Sequence, residues 1–241
     1  MSEMSATYKL PIGWIWTTLN ELGLIVSGGT PPTTNQRFWS GEIPWITPSD
    51  LSHYKGKFIG TGKRNISGLG LEHSSARILP KNSILFSSRA PIGYVVISKN
   101  PLATNQGFKN LILAEDTYVE YLYYYLSSAK QLAESMASGT TFLELSANSF
   151  GKIPVPLPPL NEQHRIVAKI EELFSELDKT KEQLESSEKQ LKLYRQSIID
   201  LGVEGKLANG NSERRKVSAS WSKVSLKDII EEPKYGTAKK K

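Results

Sequence analysis

The chain has 241 residues, 39% of them hydrophobic and 22% charged, with 30 Lys and Arg against 24 Asp and Glu. That length exceeds one small module, and the apolar share suffices for a packed core, which excludes a wholly disordered chain. There is no cysteine, so disulfides and thiolate metal sites are excluded. No signal-peptide pattern and no long apolar run occur, and the expectation is a cytoplasmic protein without membrane association.

Charge is segregated: residues 1–150 carry a net +2, residues 151–201 a net −1 and residues 202–241 a net +5. In chain order, short apolar runs at 43–46, 76–78, 83–87, 93–97 and 108–113 predict strands. Turn signals such as Pro31-Pro32, Ser67-Gly68 and Lys99-Asn100-Pro101 separate them, and Ser27-Gly28-Gly29-Thr30 reads as a further turn. Residues 120–137 predict a helix, since Leu122, Tyr125, Leu126 and Ala129 recur at helical spacing. The fold class is α+β, with a globular domain over residues 1–153.

Residues 53–109 place Lys55, Lys57, Lys63, Arg64, Arg77, Lys81, Arg89, Lys99 and Lys109 against the single acid Glu72. Such a surface attracts a polyanion through counterion release, so double-stranded DNA is the expected partner. Lys55, Lys57, Lys63 and Lys109 suit phosphates. Arg64, Arg77 and Arg89, or the amides Asn105 and Gln106, suit bidentate contacts to base edges. For Arg89, Asn105 and Gln106 a structural role within the domain stays equally open.

Prolines occupy four of the positions 154–160, which favours an extended, stiff junction. Asn161 then offers an N-cap, with Glu162 in the first turn. The residues Ile166, Ile170, Leu173, Leu177, Thr180, Leu184, Ser187, Leu191, Tyr194, Ile198 and Leu201 step by alternating four and three on an otherwise polar segment. That period marks a coiled-coil seam, and residues 161–204 are expected to form a long dimerisation and spacer helix. Ile166, Ile170, Leu173, Leu177, Leu184, Leu191, Tyr194 and Ile198 form the expected interface of a homodimer. Pairing of two copies in antiparallel fashion would set a globular domain at each end.

Gly202 and Gly205 supply stops, and 205–241 reads as a linker followed by the start of a second repeat. At an offset of 207, Trp14, Leu19 and Gly29-Thr30 match Trp221, Leu226 and Gly236-Thr237. Thr18, Glu21 and Leu22 find conservative companions in Ser225, Asp228 and Ile229.

His53, His73 and His164 lack metal-ligand spacing, and no phosphate-binding loop or nucleophile constellation occurs. No catalytic residue and no metal site is assigned. The chain reads as a binder, with a coiled-coil adaptor for other proteins as the alternative to a sequence-specific DNA binder.

Several segments resemble the specificity subunits of type I restriction-modification systems. They are Leu10-Pro-Ile-Gly-Trp-Ile-Trp-Thr-Thr-Leu-Asn-Glu-Leu22, Ser27-Gly-Gly-Thr-Pro31, Ile43-Pro-Trp-Ile-Thr-Pro-Ser-Asp50, Ile84-Leu-Phe-Ser-Ser-Arg-Ala-Pro-Ile-Gly93, Thr104-Asn-Gln-Gly-Phe108 and the run from Ser149 to Ile166. The resemblance implies a target recognition domain followed by a spacer helix, in a half-length form of a subunit that normally carries two of each. It implies DNA sequence recognition without catalysis and no cofactor in this chain. The implied partners are modification subunits, which bind S-adenosylmethionine, and a restriction subunit, which uses ATP and Mg2+.

Overall fold

A computed structural model describes residues 9–89, 91–114, 117–139, 143–204, 206–207, 222 and 224–230. The chain divides into a unit of residues Met1–Glu172 and a unit of residues Leu173–Lys241.

In the first unit the elements are β1 (Ile15–Thr18), α1 (Leu19–Leu22), β2 (Gly23–Ser27), β3 (Trp39–Ile46), β4 (Phe58–Ile59), β5 (Arg64–Ile66), α2 (Gly68–Glu72), β6 (Ile84–Ser87), β7 (Val95–Ser98), β8 (Ala103–Thr104), β9 (Phe108–Leu113), α3 (Val119–Ser128), α4 (Lys130–Ser135), α5 (Ala147–Gly151) and β10 (Pro154–Leu157). The helix α6 (Leu160–Val203) begins in this unit. The fold is α+β, as expected.

A five-stranded sheet of order β2-β9-β6-β7-β4 is the centre of the unit. Successive side chains on a strand point to opposite faces. Ile84 and Phe86 of β6 therefore join one core cluster with Leu122 and Leu126 of α3 and Phe150 of α5, while Leu85 joins another with Ile46 and Leu102. Burial on both faces explains why β6 and β7 read as continuous apolar runs. A three-stranded sheet of order β5-β3-β8 adds a smaller cluster around Trp45 and Ile66.

Two expected elements differ. Residues 76–78 form no strand; Leu79 alone makes a bridge, to Leu102, and Arg77 and Ile78 are exposed. The helix expected over 120–137 is divided at Ala129 into α3 and α4. The Ala129 N–H is shared between the carbonyls of Tyr125 and Leu126 at 3.0 and 3.2 Å, a tightened last turn that closes α3.

The proline run is a strand of the globular unit rather than a junction beyond it. β10 pairs antiparallel with β1, Val155 opposite Thr17 and Leu157 opposite Ile15. Prolines stand only at alternate positions 154 and 156, so the donors that face β1 are retained and the missing ones lie on the outer edge. On that edge the hydroxyls of Tyr125 and Tyr121 donate to the carbonyls of Pro154 and Pro156. Burial pushes the Tyr125 phenol up to about 12 and that of Tyr121 higher still. A phenol whose folded pKa is raised contributes stability that is complete below its unfolded value and lost as pH climbs toward the folded one. Ultraviolet titration is expected to show tyrosines that stay protonated above about pH 10, with alkaline unfolding between about pH 10 and 12.

α6 starts one residue earlier than expected, so Asn161 lies within its first turn and the Pro159 carbonyl accepts from the N–H groups of Glu162 and Gln163 at 2.8 and 3.0 Å. Its root is built into the core of the first unit. The buried Gln163 accepts from the Tyr118 N–H at 2.9 Å and donates to the Pro158 carbonyl at 3.0 Å. Trp14 donates to Glu162 at 3.1 Å, Val167 is buried, and Ile166 packs on the core. Ile166, expected in the seam, is partly buried against the core of this unit.

In the second unit, α6 exposes every side chain from 173 to 200, with Leu177, Leu184 and Leu191 at 62%, 70% and 68% of full exposure. The repeat expected from sequence has a local counterpart. Glu21 accepts from the Thr18 N–H at 3.0 Å, and Asp228 accepts from the Ser225 N–H at 3.0 Å, each closing a capping box. Donation by Thr17 first, then Thr18, holds the Glu21 carboxyl below its usual range. Trp221 and Gly236-Thr237 lie outside the described residues. After the first capped turn the chain passes close to β9, and a Cβ on Gly23 would stand 2.1 Å from the Ile112 carbonyl oxygen.

Candidate nucleic-acid interface

Three irregular segments converge on the β5-β3-β8 sheet. The first is Ser27-Gly28-Gly29-Thr30. Its glycines are required by close approach more than by a turn: a Cβ on Gly28 would lie 1.9 Å from the Asn105 carbonyl oxygen, and one on Gly29 would lie 2.2 Å from the Ala76 nitrogen. Gly29 is tied by its N–H to the Thr104 carbonyl at 2.9 Å and by its carbonyl to the Trp45 indole at 2.9 Å. The second segment, residues 47–50, is closed by Asp50, which accepts from the Thr47 N–H at 2.8 Å and the Lys63 N–H at 3.2 Å. The third, residues 105–107, carries Gln106, which accepts from the Thr30 hydroxyl.

On this platform Arg64 stacks its guanidinium on the Trp39 ring at 3.5 Å, and Trp39 meets Trp45 edge to face at 5.0 Å. The β3-β5 register, Trp45 opposite Arg64, makes the stack. Lys63, Arg64 and Gln106 are exposed here, and Arg77, also exposed, follows Ala76, whose nitrogen lies against Gly29. Of these side chains the Arg64 guanidinium is the one held in place, by the Trp39 ring. A planar fork pre-oriented by an aromatic ring suits a base edge or a phosphate. Trp39, Thr30 and Asp50 belong to this group and were not anticipated from the sequence. Trp39 and Trp45 lie on one strand, but its register shifts between Trp39 and Ile43, so no regular alternation announces their contact.

The other anticipated residues are placed differently. Lys55 is exposed on the 52–57 loop. Lys57 pairs with Glu171 of α6 and lies over the rings of Phe58 and Tyr124, so its charge braces the root of the helix. Lys109 is 6% exposed and pairs with Glu144 at 3.3 Å; the same carboxylate pairs with Arg89 at 3.1 Å. The Arg89 Nε is buried without a hydrogen-bond partner among the described residues. The Asn105 side chain accepts from the Gly107 N–H at 3.0 Å, closing its own turn. The basic stretch is therefore not one continuous face. Lys57, Arg89 and Lys109 are neutralised by acids from distant parts of the chain, which a linear count of charge cannot register.

Among the described residues no cluster of His, Asp or Glu could hold a metal ion. None of their helices is long and apolar enough to cross a membrane.

A recognition-type α+β head that runs into a long helix with an exposed seam defines a class, and family comparison agrees with it. Residues 11–186 match the type I restriction modification DNA specificity domain, and the chain belongs to that family. It is 36% identical over 92% of its length to the type I restriction enzyme MjaIX specificity subunit of Methanocaldococcus jannaschii, and 29% identical over 76% to the EcoR124I/EcoR124II specificity subunit of Escherichia coli. It covers 52% and 48% of those proteins, about half the length of each relative. The crystal structure of the HsdS subunit from Thermoanaerobacter tengcongensis superposes with a TM-score of 0.60 at 25% identity, over 83% of this chain and 47% of that one.

Proposed function

We propose that this chain is a non-catalytic specificity component of a type I restriction-modification complex in the cytoplasm. Its head reads one half of an interrupted duplex target, and α6 joins it to a second copy that reads the other half. What supports this reading is one head followed by a helix with an exposed 3.5-period seam. A twofold pair demands a target with mirror-related halves. Modification subunits carrying S-adenosylmethionine and a restriction subunit using ATP and Mg2+ would supply the chemistry.

Selection of bound sites from a random duplex pool tests the proposal. Enriched sites with two mirror-related halves at fixed spacing are expected. Asymmetric sites would overturn the dimeric reading, and no enrichment at all would favour the adaptor. In the same assay Lys63→Ala is expected to weaken all duplexes alike and lower the salt slope by about one per half-site, whereas Arg64→Ala relaxes selection at one position per half-site.

A further inference from the structure

We infer that two copies of α6 pair antiparallel in one particular register, with the twofold axis between Glu185 and Ser186. The inference rests on the dimeric reading above and deepens it. In an antiparallel pair each seam residue of one heptad class faces the other class of the partner helix. Numbering from the axis sets Leu184 opposite Ser187, Leu177 opposite Tyr194, Leu191 opposite Thr180, Leu173 opposite Ile198 and Ile170 opposite Leu201. Every layer then contains at least one large aliphatic residue. A parallel pair would instead set Thr180 against Thr180 and Ser187 against Ser187, two layers of hydroxyls alone.

Layer sizes do not separate this register from its neighbours one heptad away; flanking charge does. The positions that follow Leu173, Thr180, Ser187 and Tyr194 face each other across an antiparallel pair. In the inferred register Lys181 meets Glu188, twice by symmetry, and Phe174 meets Arg195. Shifting by one heptad in one direction puts Lys181 against Lys181, and in the other it puts Glu188 against Glu188 and Lys181 against Arg195. Like charges so placed are repulsive.

The fold supplies an independent reason. The first alternative needs Ile166 as a seam residue opposite Ile198, yet Ile166 is packed on the core of its own unit. The other alternative leaves Ile170 and Leu173 with no facing residue in the partner helix, which ends at Val203. The register that uses every free seam residue is the register that matches the charges. At 1.5 Å per residue it sets the two Leu160 positions about 75 Å apart, which gives the spacer its length.

Glu188 pairs within its own helix with Lys192 at 2.7 Å, an exposed contact that it can share. The experiment uses the full chain, whose lack of cysteine makes introduced thiols unique. Leu177→Cys and Tyr194→Cys are prepared separately, mixed and oxidised. A disulfide-linked dimer is expected from the mixture and from neither variant alone. Linkage of either variant alone reports a parallel pair and overturns the inference, as does a dimer in sedimentation that never cross-links in the mixture. A monomer in sedimentation removes the dimeric reading itself, a different failure. Lys181→Glu or Glu188→Lys alone is expected to raise the dimer Kd about tenfold, and the double exchange to restore it to within about twofold. Additive losses in the double exchange would overturn the register.

Discussion

Leu184→Glu is expected to convert the protein to a monomer at micromolar concentration, read by sedimentation equilibrium, and to abolish the preference for two-part sites. Leu184 is an exposed apolar residue in the middle of the seam. Its burial in a helix pair contributes about 1.5–3 kcal/mol per copy. In the inferred register it would stand beside the twofold axis, so that one substitution would place two carboxylates close together in a dry interface. The combined loss is about 4 kcal/mol or more, a factor of about a thousand in the dimer Kd. The head lies in a separate unit, so its thermal unfolding is expected to stay unchanged, and binding should fall to that of one half-site. An unaltered dimer would mean that another surface holds the copies together.

Glu144→Ala has the second largest expected effect, this time on the head. Glu144 is the carboxylate shared by Lys109, whose side chain is 8% exposed, and by Arg89. Removing one member of a buried pair leaves the other charge without compensation. Discounted for the 39% exposure of the Glu144 side chain, the cost is about 3 kcal/mol, or a fall in Tm of about 6–12 °C by calorimetry. Adding Lys109→Met removes the stranded ammonium and should recover most of the loss. Were Lys109 and Arg89 surface contacts for DNA, the single substitution would tighten duplex binding and leave Tm alone. A stability loss that Lys109→Met fails to relieve would remove the shared carboxylate as its cause.

The parts of the fold that were legible in the sequence carry their own periodicity. β6 and β7 are short apolar runs because both faces of their sheet are covered, and α6 shows its seam because most residues around Leu177, Leu184 and Leu191 are polar. What was not legible depends on partners far away in the chain. Lys109 looks like any basic residue until Glu144 is brought to it, 35 positions later. Pro154 and Pro156 argue against a strand unless their alternation is set against β1 and against the hydroxyls of Tyr121 and Tyr125. The recognition platform was half legible: Lys63, Arg64 and Gln106 were named from charge and type. Trp39 was missed because only the β3-β5 register lays Arg64 on its ring.

The narrow passage at Gly23 bears on how copies of this chain avoid tangling. The two capped turns share their spacing and their cap, so trading one for the other between neighbouring molecules would be the obvious route to a swapped aggregate. The second copy, however, carries Ile230 where the first has Gly23, and a Cβ at that point would stand 2.1 Å from a main-chain oxygen. The likeness is interrupted at the one residue that would have to enter this narrow passage, so exchange of the second turn for the first is expected to clash there.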